Sequence, residues 1–156
     1  YNKAMTCFKK ALDLNSDPYE QFEYYRYLAR CCHMLKKFNQ AKEYAKASLE
    51  SFKKSGSGKL EDYLAYKPYA PARLASLGWL LLCQGKKEEA RENFQKMEQI
   101  QRCRGCRYRE CFESRLYLGY YYEAVGDLKE AKAQYQEALK RNPHCDEARE
   151  ALNRLG

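Results

Sequence analysis

Leu118, Tyr122 and Val125 recur at helical steps, and Leu128, Ala131, Tyr135 and Ala138 resume the same period after a break at Gly126-Asp127. Gly126 is placed to end the first helix in the left-handed conformation. Asp127, with Glu130 three residues on, reads as a capping box opening the second helix. Gly119 and Ala131 carry no bulky side chain, so the two helices can approach closely, and Asn142-Pro143 stops the pair. One such hairpin cannot bury its apolar face alone, so the pattern predicts stacked neighbours.

The same pattern runs through the rest of the chain. Residues 71–104 repeat it with Leu77-Gly78, Leu81, Gly85 and Ala90-x3-Phe94. Ser16-Asp17-Pro18 offers a capping residue and a proline at the first helical position, which predicts a helix from there to about Leu35. Leu28, Ala29 and Cys32 stand in that helix where Leu118, Gly119 and Tyr122 stand later. Asn39-Gln40-Ala41 opens its partner, with Ala41, Ala45 and Leu49 inward. Residues 1–15 fit a second helix only, with Ala4, Phe8, Ala11 and Leu12 matching Ala131, Tyr135, Ala138 and Leu139. The first helix of that pair is expected before Tyr1, so the sequence reads as an excerpt of a longer chain. Gly56 and Gly58 break the third helical run, and Pro68 and Pro71 bracket a turn. An extended loop with a short helix around Leu60–Tyr66 is expected there, its Tyr63, Tyr66 and Tyr69 packing on the helices or on a ligand. Gly58-Lys59 is no phosphate loop, because Leu60 replaces the Ser/Thr that chemistry needs and no strand precedes it.

Composition narrows the picture. The 156 residues suit one domain, and 15 Tyr with abundant Ala carry much of the apolar surface. Mean hydropathy is −0.87, and no segment reaches the roughly 18 apolar residues that span a membrane. Eight Cys, several at helical core positions, do not form the dense framework of a small secreted domain; reduced thiols in a cytoplasmic protein are expected. The net charge of +8 is uneven: residues 1–60 hold 12 Lys/Arg against 6 Asp/Glu, and residues 102–111 hold 4 against 1.

Leu118-Gly119, Tyr122, Ala131-x3-Tyr135, Ala138 and Pro143 follow the spacing W-x2-L-G-x2-Y…A-x3-F…P, with Arg115 in place of Trp. In these residues the chain resembles the tetratricopeptide-repeat family, whose period is about 34 residues. Gly78 and Gly119 are 41 positions apart, and Ala29 and Gly78 are 49 apart, so insertions are expected between repeats. The resemblance implies an all-α fold, a right-handed solenoid of about three and a half helix pairs with a terminal helix. In one domain, residues 1–17 are the second helix of a truncated repeat and 18–55 a degenerate repeat. Residues 56–70 are an insertion, 71–104 a repeat, 105–111 a Cys/Arg loop, 112–145 the best repeat and 146–156 a capping helix.

The function implied is that of a scaffold, part of a larger protein, holding a partner peptide in the concave groove lined by first helices. The family's groove positions carry over to Phe22, Arg26, Arg30 and His33; to Ala72, Ala75, Trp79 and Leu82; and to Glu113, Leu116, Tyr120 and Glu123. An acidic or aromatic partner segment would suit them, with Arg26 and Arg30 pairing carboxylates and Trp79 and Tyr120 as apolar anchors. Trp79 and Tyr120 equally fit packing between neighbouring first helices. The Lys/Asn carboxylate clamp of members that bind chaperone tails is missing, so that ligand is not expected.

Cys103-x2-Cys106-x4-Cys111 has the hook of a zinc site, for which His144 or Cys145 would complete four ligands. Cys103 and Cys111 equally fit buried helix positions. The neighbouring Arg102, Arg104, Arg107 and Arg109, with Tyr108, offer contacts to nucleic acid, and a basic helical-repeat surface for nucleic acid is the rival reading. Catalysis has little to stand on. His33 and His144 are the two histidines, neither in a nucleophile or zinc-hydrolase motif, and Glu88-Glu89 belongs to a solvated helix surface. A third reading makes the chain a structural or regulatory arm of a multidomain enzyme.

Overall fold

The computed structural model describes residues 1–56, 70–99 and 111–156. Among these residues every regular element is a helix: α1 (Asn2–Leu14), α2 (Pro18–Met34), α3 (Phe38–Lys54), α4 (Ala70–Cys83), α5 (Lys87–Gln99), α6 (Cys111–Val125), α7 (Leu128–Arg141) and α8 (Asp146–Leu155). The chain forms two compact units, one holding α1–α3 with Cys83–Gly85, the other holding the remaining helices. The all-α, repeated-hairpin class implied by the resemblance is what the chain adopts. The short helix expected around Leu60–Tyr66 and the Cys/Arg loop lie outside the described residues.

Local chemistry sets the helix ends. Asp17 accepts hydrogen bonds from the N–H groups of Tyr19 and Glu20 at 3.0 and 2.9 Å, with Pro18 at the first helical position, so α2 starts where expected. α3 begins one residue earlier than expected, at Phe38, and its preceding Lys37 makes no side-chain cap. Asp127 caps α7 through the Glu130 N–H at 3.1 Å, but the capping box is one-sided. The Asp127 N–H already donates to Tyr122 O at 2.9 Å, so the Glu130 carboxylate has no donor to reciprocate.

That bond belongs to a turn used three times. Lys36, Gly85 and Gly126 have φ of 57°, 76° and 88°. The N–H groups just after them, of Lys37, Lys86 and Asp127, reach back to the carbonyls of Cys32, Leu81 and Tyr122 at 2.9, 3.0 and 2.9 Å. This is the left-handed helix stop that glycine adopts without steric cost. The first copy makes it with a lysine.

The cores follow the periodicity. In the first unit α2 packs on α3 and α1 on α2. Met5, Leu28, Cys31, Cys32 and Ala41 form one buried cluster, bordered by Phe8, Leu12 and Tyr44. Ser48, buried on α3, donates to Phe22 O at 2.8 Å, which satisfies its hydroxyl inside the core. In the second unit Leu116, Ala131, Tyr135, Ala138, Cys145, Ala148 and Ala151 close a cluster across α6, α7 and α8. Glycine permits the closest approaches. A Cβ on Gly119 would lie 2.6 Å from Tyr135 Cδ1, and one on Gly78 would lie 3.0 Å from Phe94 Cε2.

Candidate functional site

The groove positions fall on α2, α4 and α6, the first helices of the pairs, and the structure divides them by burial. Phe22 is 0% exposed and packs on Phe52 of α3, ring centroids 5.2 Å apart. Trp79 is 1% exposed and stacks on Tyr117 at 5.0 Å and 14°. These two side chains are therefore core, not ligand anchors. For Trp79 the alternative, packing between neighbouring first helices α4 and α6, is the one observed. Arg26 is also turned inward. Its Nε and Nη2 donate to Glu23 Oε2 at 3.1 and 2.6 Å, and its guanidinium lies 4.2 Å from the Tyr27 ring centre. The carboxylate it was expected to find on a partner is supplied by its own helix, one turn earlier.

Several of the remaining positions stay accessible in part. Arg30, His33 and Leu82 are half-buried. The His33 ring meets Phe38 edge-on at 5.5 Å, and Phe38 is itself 59% exposed, an apolar surface residue that periodicity assigned no role. Tyr120, half-buried, crosses Tyr135 at 5.8 Å and 68°. Ala72 and Glu113 are half-buried, whereas Ala75 and Leu116 are buried.

Glu123 is committed within the fold. Its carboxylate accepts the Tyr135 hydroxyl hydrogen at 2.8 Å and pairs with Arg154, whose Nη2 lies 3.0 Å from Oε2. One side chain of α6 thereby ties down α7 and α8. Burial, then the hydrogen bond to Glu123, pushes the Tyr135 phenol well above the ordinary tyrosine range. The hydrogen bond to Glu123 holds the Arg154 guanidinium above its own ordinary value.

The Tyr135 shift carries a pH signature. A tyrosine held neutral in the fold but free to ionise when unfolded favours the unfolded chain above about pH 10, where the unfolded phenol gives up its proton. Its contribution is intact below that pH and is lost as pH rises further. Tyr135→Phe is expected to cost about 1–2 kcal/mol at neutral pH for the lost bond to a charged acceptor. It should also remove one alkaline step from stability. Urea unfolding of both proteins between pH 7 and 11 checks this: the gap narrows above pH 10, and a constant gap would refute the assignment.

The metal expectation has two parts. Cys103 and Cys106 lie outside the described residues, and Cys111 is described only as the first residue of α6. Cys145 is 2% exposed with its Sγ 3.7 Å from Glu147 Oε2, while His144 beside it is exposed. No group of three or more His, Cys, Asp or Glu side chains able to hold a metal occurs among the described residues. Cys7, Cys31, Cys32, Cys83 and Cys145 carry thiols rather than disulfides, and burial raises the Cys83 thiol to about 12. Arg115, where the repeat signature has Trp, donates through Nη1 to Gln134 Oε1 at 3.2 Å. Its Nε and the Ser114 Oγ are buried without a hydrogen-bond partner among the described residues. No helix among the described residues is long and apolar enough to cross a membrane.

No curated protein matches the chain. A sequence model of the tetratricopeptide repeat does match it, over residues 112–155, and that repeat is in general a protein-interaction module rather than an enzyme. The helices paired by Gly119 against Tyr135, the turn at Gly126 and the terminal helix tied through Glu123 thus make up the stretch similar to the tetratricopeptide-repeat family.

Proposed function

We propose that this chain is a scaffold that holds segments of a partner protein against the first helices of its repeats, α2 in one unit and α4 with α6 in the other. The match to the tetratricopeptide repeat over residues 112–155 carries the reading. Arg30 and His33 on α2, Leu82 on α4 and Tyr120 on α6 are among the groove positions that stay half-buried. The guanidinium and imidazole of α2 suit acidic residues of a partner, and the apolar and phenolic surface of α4 and α6 suits aromatic ones. The basic excess of residues 1–60 draws such a segment in and opposes a basic one.

Peptides selected from a random library on the intact chain test this. They are expected to be enriched in Asp, Glu and aromatic residues. Arg30→Glu is expected to weaken a selected peptide about tenfold and Tyr120→Ala about as much, each leaving helicity unchanged. Peptides of basic composition, or affinities indifferent to both substitutions, would move the binding surface elsewhere.

A further inference from the structure

Lysine dominates one edge of α3. Lys42, Lys46 and Lys53 are all exposed, and helix geometry sets them within about 40° of one another around the axis, over a length of about 16 Å. Phe38 stands one turn before Lys42 on the same edge, and the exposed Lys36 and Lys37 precede it. The Phe38 ring is 59% exposed and meets His33 at 5.5 Å and 72°. The first turn of α3 holds no acid, so the positive end of the helix adds to the lysines there.

The fold does not use these charges. Glu43 lies three residues from Lys46, and Glu50 lies three from Lys53 and four from Lys46. The same three-residue spacing closes Glu88–Arg91 on α5 at 2.8 Å and Glu137–Lys140 on α7 at 3.4 Å. On α3 none of these pairs closes among the described residues. The excess is local as well: residues 1–56 hold 11 Lys/Arg against 6 Asp/Glu, whereas residues 111–156 hold 7 against 8. An acidic helix docked along this edge would find little to bury, since half-buried Leu49 is the one apolar residue between Lys42 and Lys53 on it. A single nucleic-acid strand needs no apolar seam, because its phosphates take point charges and its bases stack on exposed rings.

We infer that this edge of α3 binds single-stranded nucleic acid without regard to sequence, one base stacked on Phe38 and the backbone following Lys42, Lys46 and Lys53. The scaffold positions lie on first helices and this edge on a second helix, so either reading can fail alone.

A short fluorescein-labelled oligothymidylate, titrated with the intact chain at several salt concentrations, tests this. Each phosphate neutralised on a single strand contributes roughly −0.7 to the slope of log affinity against log salt, so three lysines give about −2. Lys42→Gln, Lys46→Gln and Lys53→Gln together are expected to remove that much of the slope. Phe38→Ala is expected to weaken binding about tenfold at every salt concentration and leave the slope unchanged, and Phe38→Tyr to keep the parent affinity. All four positions are exposed, so circular dichroism should be unchanged. Absence of binding overturns the inference, as does a slope indifferent to the lysine changes or an affinity indifferent to Phe38→Ala. A duplex bound more tightly than the strand also overturns it. So does polyglutamate bound as tightly as the oligonucleotide, because the edge would then serve an acidic protein.

Discussion

Gly119→Ala is expected to lower the unfolding free energy by about 2 kcal/mol, although alanine is the better helix former by about 1 kcal/mol. The reason is the ring facing it. A Cβ at this position comes within 2.6 Å of Tyr135 Cδ1 and 2.9 Å of Cζ, distances that require something to move. The ring has nowhere easy to go. It is fully buried, crossed by Tyr120, and held at its far end by the hydrogen bond to Glu123. In a chain of this size that loss corresponds to a fall in Tm of about 4–8 °C.

Two companions make the result specific. Gly78→Ala meets Phe94 at 3.0 Å, a looser approach to a ring with no hydroxyl to tether it, and is expected to cost less. Adding Tyr135→Leu to Gly119→Ala removes the clashing ring and should recover part of the loss, giving a coupling in the double-mutant cycle. Additive effects, or a Gly119→Ala protein as stable as the parent, would refute the close-packing account.

Trp79→Ala is expected to be costlier still, about 3–5 kcal/mol. This is the chain's single Trp, 1% exposed and stacked on Tyr117, and aromatic stacking adds about 0.5–1.5 kcal/mol beyond the area it buries. The measurement separates two roles for one residue. A groove anchor lost to alanine would weaken ligand binding and leave urea unfolding nearly unchanged. A core residue lost to alanine shifts the unfolding midpoint, and peptide affinity measured on the folded fraction holds. The intrinsic emission of the parent protein gives a second readout. It should be blue-shifted and insensitive to added quencher until the chain unfolds, and ready quenching in the native protein would contradict the core placement.

The difference between those roles was not legible in the sequence. Trp79 sits at a register position that can turn toward open surface or toward the next first helix, and the choice depends on what packs alongside. Tyr117 decides it, and the repeat signature gives no special weight to that position. Glu123 teaches the same lesson. Its spacing placed it with the groove residues, but its partners are Tyr135 on the next helix and Arg154, 31 residues on. Arg26 found its carboxylate at Glu23, within hydrogen-bond reach on the same helix.

What could be read was the chemistry that acts over a few residues. Asp17-Pro18 starts a helix because the carboxylate and the missing N–H serve the first turn. Gly126 ends one because its φ of 88° is open to glycine. The close approach of α6 and α7 was legible because Gly119 and Ala131 carry no bulky side chain, whereas the Tyr135 ring that fills the space over Gly119 was not. The Lys36 turn announced itself less clearly, since a lysine in the left-handed region looks like any other surface lysine.

The three turns at Lys36, Gly85 and Gly126 bear on how the chain finds its fold. Each joins helices whose decisive contacts lie close together in sequence, so little loop-closure entropy stands between an extended chain and a seated ring. A hairpin that opens by fluctuation can re-form from its own turn, without waiting for distant segments to return. Rescue is local, and only the copy turned by lysine carries a steric cost that the two glycine copies avoid.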